Sequence, residues 1–337
     1  MAQVQKKSSH ILPIIFYPFL DQMSALNLPY HYLPTTYVRF DRCIALMAVL
    51  IFFSTSLLAS SPEKQSLDYL TQIQATDSLP IANTVYFETV RQVNGPSAVS
   101  KDSMVLKPSV ELSSEYSRLS NGYGNAHTEM LKYTHFGPIG VMDISATHQS
   151  RFGTQGTYLS IQLTRELNDR NYFRVSVGGG ESILWPYWRT DYSIHHKFGT
   201  QKKYVAGVGV MYSSNRDNRS DRGLVLNLIS YFDKLVLEGG LLYYRNNPGW
   251  VSAYTQYLAA TWGTSKIQTL SLRAEKSQEA YQTTGDNFLV DFDSTNLSLV
   301  WRYWLSPGYS LILGARQYKN PFYKQDALKI GIEINFP

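Results

Sequence analysis

The sequence predicts an all-β chain: a transmembrane, antiparallel, up-and-down β-barrel of about 14 strands, with about 12 as the alternative, preceded by a signal peptide and a short periplasmic segment. Three observations carry this reading. Short runs that alternate apolar and polar residues recur from about residue 108 to the end. Most are about ten residues long, which is what a tilted strand needs to cross the hydrocarbon core. Tyrosine, at 25 copies, outnumbers the 15 Phe and 6 Trp together, and its half-apolar, half-wet side chain suits the boundary between lipid and water.

Composition removes the competing classes. The chain has 337 residues, 44% hydrophobic, 14% aromatic and 17% charged, with a single cysteine. So many aromatics exclude disorder. One cysteine, Cys43, excludes a disulfide scaffold. A helical membrane bundle would need several apolar runs of about 20 residues. A net charge of +5 without a Lys/Arg block gives no nucleic-acid footprint.

Residues 1–60 read as a leader and signal peptide. The apolar run CIALMAVLIFFSTSLLA (43–59) follows Arg39 and Arg42 and closes on Ala59, Ser60 and Ser61, the pattern of a secretory signal. A single anchor helix is the alternative, but the run is short and no basic stop-transfer flank follows. Cys43 stands at the front of the run and not at its end, which argues against a lipoprotein signal. Residues 1–38 are long for a leader; either translation starts later, for example at Met23, or the extension is disordered. Removing the signal leaves a mature chain without thiols, suited to an oxidising periplasm. Residues 61–107 form a second unit. Leu67, Leu70 and Ile73 share one side of a short amphipathic helix, and NTVYFETVRQ (83–92) has a strand-like composition. A periplasmic tail is favoured over a lumen plug or an extra strand.

Residues 108–337 are the barrel. Strands are expected to start near residues 108, 126, 140, 156, 171, 187, 203, 222, 234, 252, 266, 294, 309 and 325. In the last, Leu328, Ile330, Ile332, Ile334 and Phe336 oppose Lys329, Gly331, Glu333 and Asn335. Leu297, Leu299, Trp301, Tyr303 and Leu305 likewise oppose Asn296, Ser298 and Arg302, and Leu159, Ile161 and Leu163 oppose Ser160, Gln162 and Thr164. Such a ribbon separates an oily side from a wet one. Odd-numbered connections tend to be longer and even-numbered ones short, with EKSQEAYQTTGDNFLVDFDS the longest loop. Long outside loops alternating with tight periplasmic turns mark an outer-membrane barrel, and a soluble sandwich has no reason to sort them.

The inward face is expected to carry Arg174, Arg189, Asp191, Glu238, Arg273, Glu275, Arg302, Arg316, Lys329 and Glu333 as lumen-lining residues, with Glu111, Glu115 and Asp143 beside them. Their mixed signs favour mutual neutralisation over a one-sign selectivity stripe. Trp188, Tyr192, Tyr243, Tyr244, Tyr257, Trp262, Trp301, Tyr303 and Trp304 are expected at the interfacial girdles.

Two segments carry a family resemblance. Tyr116-Ser-Arg-Leu-Ser-Asn-Gly-Tyr-Gly-Asn125 resembles the opening "Y–S–x–L–S–N–G–Y–G" strand and turn of the YaiO-family outer-membrane β-barrels, and Ser150-Arg-Phe-Gly-Thr-Gln155 is similar to that family's "RFG" turn. The resemblance spans roughly residues 108–337. It implies a barrel in the outer membrane of Gram-negative bacteria, in some cases associated with surface-polysaccharide systems, without catalytic residues. Such barrels usually finish on an aromatic; here Pro337 follows Phe336.

Catalytic motifs are not evident. GxSxG, HExxH and CxxC are missing, and Gly178-Gly-Gly-Glu181 lacks the Lys and Ser/Thr of a phosphate loop. His195 and His196 are adjacent on a strand and point to opposite faces, so they cannot share a metal. His127, His135 and His148 lie near serines, but sequence alone does not order them into a triad. No enzyme, catalytic residue, cofactor or metal is expected. The role expected is a porin-like channel or export pore in the outer membrane, with surface polysaccharide as a candidate cargo. A non-conducting structural or receptor barrel is the alternative, and a lipid hydrolase a more distant one. The expected partners are outer-membrane lipid, lipopolysaccharide, the barrel-assembly machinery and a polysaccharide-secretion apparatus.

Overall fold

A computed structural model describes residues 107–216, 218–247, 249–264, 267–282 and 289–336. The leader, the signal peptide and nearly all of the periplasmic segment lie outside the described residues.

Fourteen antiparallel strands form one closed barrel. They are β1 (Ser109–Leu119), β2 (Asn125–Gly137), β3 (Gly140–Arg151), β4 (Thr154–Glu166), β5 (Asn171–Gly180), β6 (Trp188–Phe198) and β7 (Tyr204–Ser214). The second half comprises β8 (Ser220–Tyr231), β9 (Leu235–Asn247), β10 (Val251–Thr264), β11 (Gln268–Gln282), β12 (Leu289–Ser306), β13 (Tyr309–Lys319) and β14 (Lys324–Asn335). Each strand pairs with its sequence neighbours, and β1 pairs with β14 from Ser109↔Asn335 to Leu119↔Gln325. With an even number of strands, both barrel ends emerge at one rim, here the near rim; odd-numbered connections form the far rim. Closure leaves no unpaired edge, the condition a sheet must meet in lipid.

The two faces differ as the alternation predicts. Leu328 is 69% exposed beside Ala327 at 5%, and Ile332 is 39% exposed beside Glu333 at 3%. Leu112, Leu159, Ile161, Val177, Ile194, Val208, Val210, Leu226, Leu258, Leu272, Leu297 and Ile330 all stand on the exposed outer face. The inner face alternates large and small groups. A Cβ on Gly240 would meet the Tyr257 ring at 2.4 Å, and one on Gly178 would meet the Tyr158 hydroxyl at 2.3 Å. Glycine at these places lets a neighbouring ring lie flat on the wall.

Three expectations need correction. The 20-residue segment read as the longest loop is mostly strand: Glu275 pairs with Asn296, and pairing continues outward to Gln282↔Leu289. Odd-numbered connections do tend to be longer, but the alternation is not strict. The odd connection β3–β4 is only Phe152-Gly153, whereas the even connection β6–β7 spans 199–203. Tyr244, Tyr257 and Trp304 are not girdle residues; Trp304 lies opposite the buried Ser310, on the same face as Arg302. Tyr244 packs with Met211, Leu242 and Ala253, and Tyr257 donates to Glu238 Oε1 at 2.6 Å, both on the inner face.

Candidate functional site: the inner wall

The inner wall is built from alternate residues of every strand, so cross-strand partners fall opposite one another. Its largest ion network lies towards the near rim. Arg302 of β12 reaches across β14 and β13 register positions to Glu333, with which it pairs, and to Glu111 Oε2 of β1 at 2.9 Å. Lys329 adds a contact to Glu111 Oε1 at 3.5 Å, and Ser310 donates to Glu333 at 3.4 Å. On β2 and β3, Lys132 stands 3.5 Å from Asp143, whose other contacts are Thr134 Oγ1 at 2.6 Å and Gln162 Nε2 at 3.4 Å. Carboxylates so buried persist because each keeps a cation and a hydrogen-bond donor close.

Smaller groups follow the same rule. Arg316 of β13 pairs with Glu115 of β1. Arg189 forks onto Asp191 through two bonds of 2.9 and 2.7 Å, and Ser176 donates to the same carboxylate at 3.3 Å. Arg273 pairs with Glu275 at 2.5 Å and lies 3.8 Å over the Tyr257 ring, while Asn296 donates to Glu275 at 2.8 Å. Tyr257 thereby links Arg273 to Glu238. Of the ten residues named from sequence, Arg302, Lys329 and Glu333 meet around Glu111. Arg189 meets Asp191, and Arg273 and Glu275 meet beside Glu238. Arg174 stands apart, its Nε without a hydrogen-bond partner. His195 stacks on Tyr172 at 4.5 Å inside, and His196 binds Asn171 outside, so the two rings do point opposite ways.

Sequence reasoning missed Lys132 and the far-rim apolar groups. Lys132 sits on a strand whose alternation is blurred by Thr and Met, and only its register opposite Glu111 exposes its role. At the far rim, Leu119, Ala126, Phe152, Tyr318 and Tyr323 form a buried cluster, with Tyr123 and Phe322 against it. Phe152 has φ 54° and Gly153 φ 70°, the sign pattern of a tight hairpin turn. A phenylalanine there costs about 1–3 kcal/mol. Its ring offsets this by packing 5.9 Å from both Tyr123 and Tyr323, under Arg151 at 4.2 Å. Beside it the β5–β6 connection turns inward. Leu184 and Trp185 are buried, Trp185 stacks on Tyr158 at 5.1 Å, and its Nε1 donates to Gly156 O at 3.2 Å. Arg216 fastens the connection by bonds to Ser182 O and Gly180 O. Among the described residues, no group of His, Cys, Asp and Glu is placed to hold a metal ion.

Residues 107–282 match the family model described as the YaiO membrane beta barrel domain. No curated protein matches the chain. Among solved structures, the CymD monoaromatic hydrocarbon channel aligns with a TM-score of 0.49 at 7% identity, covering 68% of this chain and 88% of that one. A bacterial polysaccharide outer membrane secretin aligns with a TM-score of 0.46 at 10% identity, covering 69% and 99%. The KdgM porin aligns with a TM-score of 0.38 at 11% identity, covering 68% and 99%. At these values the three likenesses carry no argument about a shared site or role.

Proposed function

The chain belongs to the YaiO membrane beta barrel family, and from that premise we propose that this outer-membrane β-barrel is a channel for polar solutes, with surface polysaccharide as the cargo class. One observation carries the reading: fourteen strands close around a wall whose inner face carries several groups of polar, charge-paired side chains. Eight strands are about enough for side chains to fill a barrel, and sixteen or more leave an aqueous channel. Fourteen lies near the open end of that range. Arg174, Arg189, Asp191, Glu238, Arg273, Glu275, Arg302, Arg316, Lys329 and Glu333 line the path in this reading. Because both signs alternate, the wall offers a hydrated track without strong preference for cations or anions. In the same reading the near rim faces the periplasm, the signal peptide directs export, and the barrel-assembly machinery inserts the product.

Purified full-length protein in planar bilayers tests this. Stepwise, stable ion currents with a reversal potential near zero in a salt gradient are expected. Silence in bilayers that contain folded protein overturns the channel. A second reading, a non-conducting structural or receptor barrel, draws on the far-rim aromatic cluster and the inward β5–β6 connection, and silence is its expected result.

A further inference from the structure

The outer wall carries a second feature, independent of the lumen. Over most of the circumference its exposed side chains are aliphatic or aromatic. On β1 to β4 the apolar band ends in a polar set at its far-rim edge. Above Leu112, Leu131, Ala146 and Leu159 come Ser114, Glu129, His148 and Thr157, which lie opposite one another in register as Ser114↔Glu129↔His148↔Thr157. One step further out are Tyr116, His127, Ser150 and Gln155, and Arg118 stands exposed beyond Tyr116.

Within this set three residues are ordered. Ser114 Oγ lies 3.0 Å from His127 Nε2. The other ring nitrogen, His127 Nδ1, lies 4.0 Å from Glu129 Oε1, with side-chain exposures of 38% and 37%. One ring nitrogen thus has a hydroxyl within hydrogen-bond distance, and on the side of the other stands a carboxylate that is beyond hydrogen-bond reach here and must close in to orient the ring. The register explains the arrangement. Ser114 is directly across from Glu129, and His127 is two residues along the same strand, on the same face. A lipid-facing carboxylate weakens membrane insertion.

We propose that Ser114, His127 and Glu129 form an esterase site on the lipid-facing wall, acting on ester-linked acyl chains of outer-leaflet lipids. Ser114 Oγ attacks the acyl carbonyl carbon while its proton passes to His127 Nε2. The C–O bond to the lipid alcohol breaks, and that alcohol leaves with the proton from His127. Water then attacks the acyl-serine, giving its proton to His127. The free fatty acid departs, and Ser114 recovers its proton. Glu129 is a positioning residue that holds the ring and stabilises its protonated form. The site's height suits this substrate, because ester carbonyls lie where the acyl region meets the headgroups, and Arg118 beyond it can meet a lipid phosphate.

The test uses full-length protein folded into vesicles, one set of glycerophospholipid alone and one also containing lipopolysaccharide, with released fatty acid as the readout. Release from either set supports the proposal, and the set that responds identifies the lipid. Ser114→Ala and His127→Asn are expected to cut the rate by at least about 100-fold. Glu129→Gln is expected to lower kcat with little change in KM, and Glu129→Asp to restore part of it. An active-site fluorophosphonate should label wild-type protein and not Ser114→Ala. Retained heat-modifiable migration on gels separates loss of activity from loss of fold. No release from either set together with no labelling overturns the proposal, as does release that persists in Ser114→Ala. The channel reading stands or falls on conductance and is untouched by this result.

Discussion

Ile332 and Glu333 are neighbours in the chain and opposites in environment. Ile332 faces lipid, while Glu333 is almost wholly enclosed and paired with Arg302. Ile332→Arg should cost about 2–4 kcal/mol, the range for a cation at mid-bilayer, and sharply reduce folded, heat-modifiable protein. Glu333→Gln keeps a hydrogen-bonding group of similar shape for Arg302 and should fold in near-normal yield. Equal loss in both would contradict the facing. At the near rim, Asp169 in the β4–β5 connection receives a bond from Lys202 of the β6–β7 connection at 2.6 Å. That ammonium holds the Asp169 carboxyl below its ordinary value of 3.8. Because the folded value is depressed, the bridge contributes above the ordinary carboxylate range and is lost as pH falls through the folded value. Amide exchange in the two connections should therefore rise in acid, and Asp169→Asn should remove that pH dependence while leaving the barrel intact.

At the scale of elements, the inward β5–β6 connection is the part most able to restrict passage. Trp185→Ala removes the stack on Tyr158 and the bond to Gly156 O. It should raise single-channel conductance while leaving strand content by circular dichroism unchanged; unchanged or reduced conductance would show that this connection does not narrow the path. The same element illustrates what the sequence hid. GGESILWP reads as a flexible strand top, because nothing local says that Leu184 and Trp185 turn towards Tyr158 and not towards solvent. The β11–β12 hairpin was hidden for another reason. Beyond the apolar band its outer positions, Lys276 and Gln278, are as polar as its inner ones, Glu275, Ser277 and Glu279, so the alternation that reveals a strand disappears. Where one flank meets lipid, as in β14, the period of two is strong and the strand is plain from sequence.

At the scale of the molecule, barrel closure and strand count were legible because lipid imposes them on every strand alike. The partnerships on the walls were not, since they depend on register across the sheet. Arg302 meets Glu111 from 191 positions away in the chain, and Ser114 meets His127 only because β1 and β2 pair with the offset they do. Sequence named many of the charged residues but missed Lys132, and the fold supplied the companions. The mixed-sign wall that results has a consequence for transport: titrating the salt gradient should leave reversal near zero, whereas a strong bias to one ion sign would mean that one charged group dominates the field.

The seam between β1 and β14 sets a timetable. The opening strand of the barrel finds its second neighbour only in the fourteenth strand, so the ring cannot be sealed until that strand has been made and exported. Until then two raw margins must be shielded by something other than the chain itself, and a product truncated before Lys324 would carry them permanently.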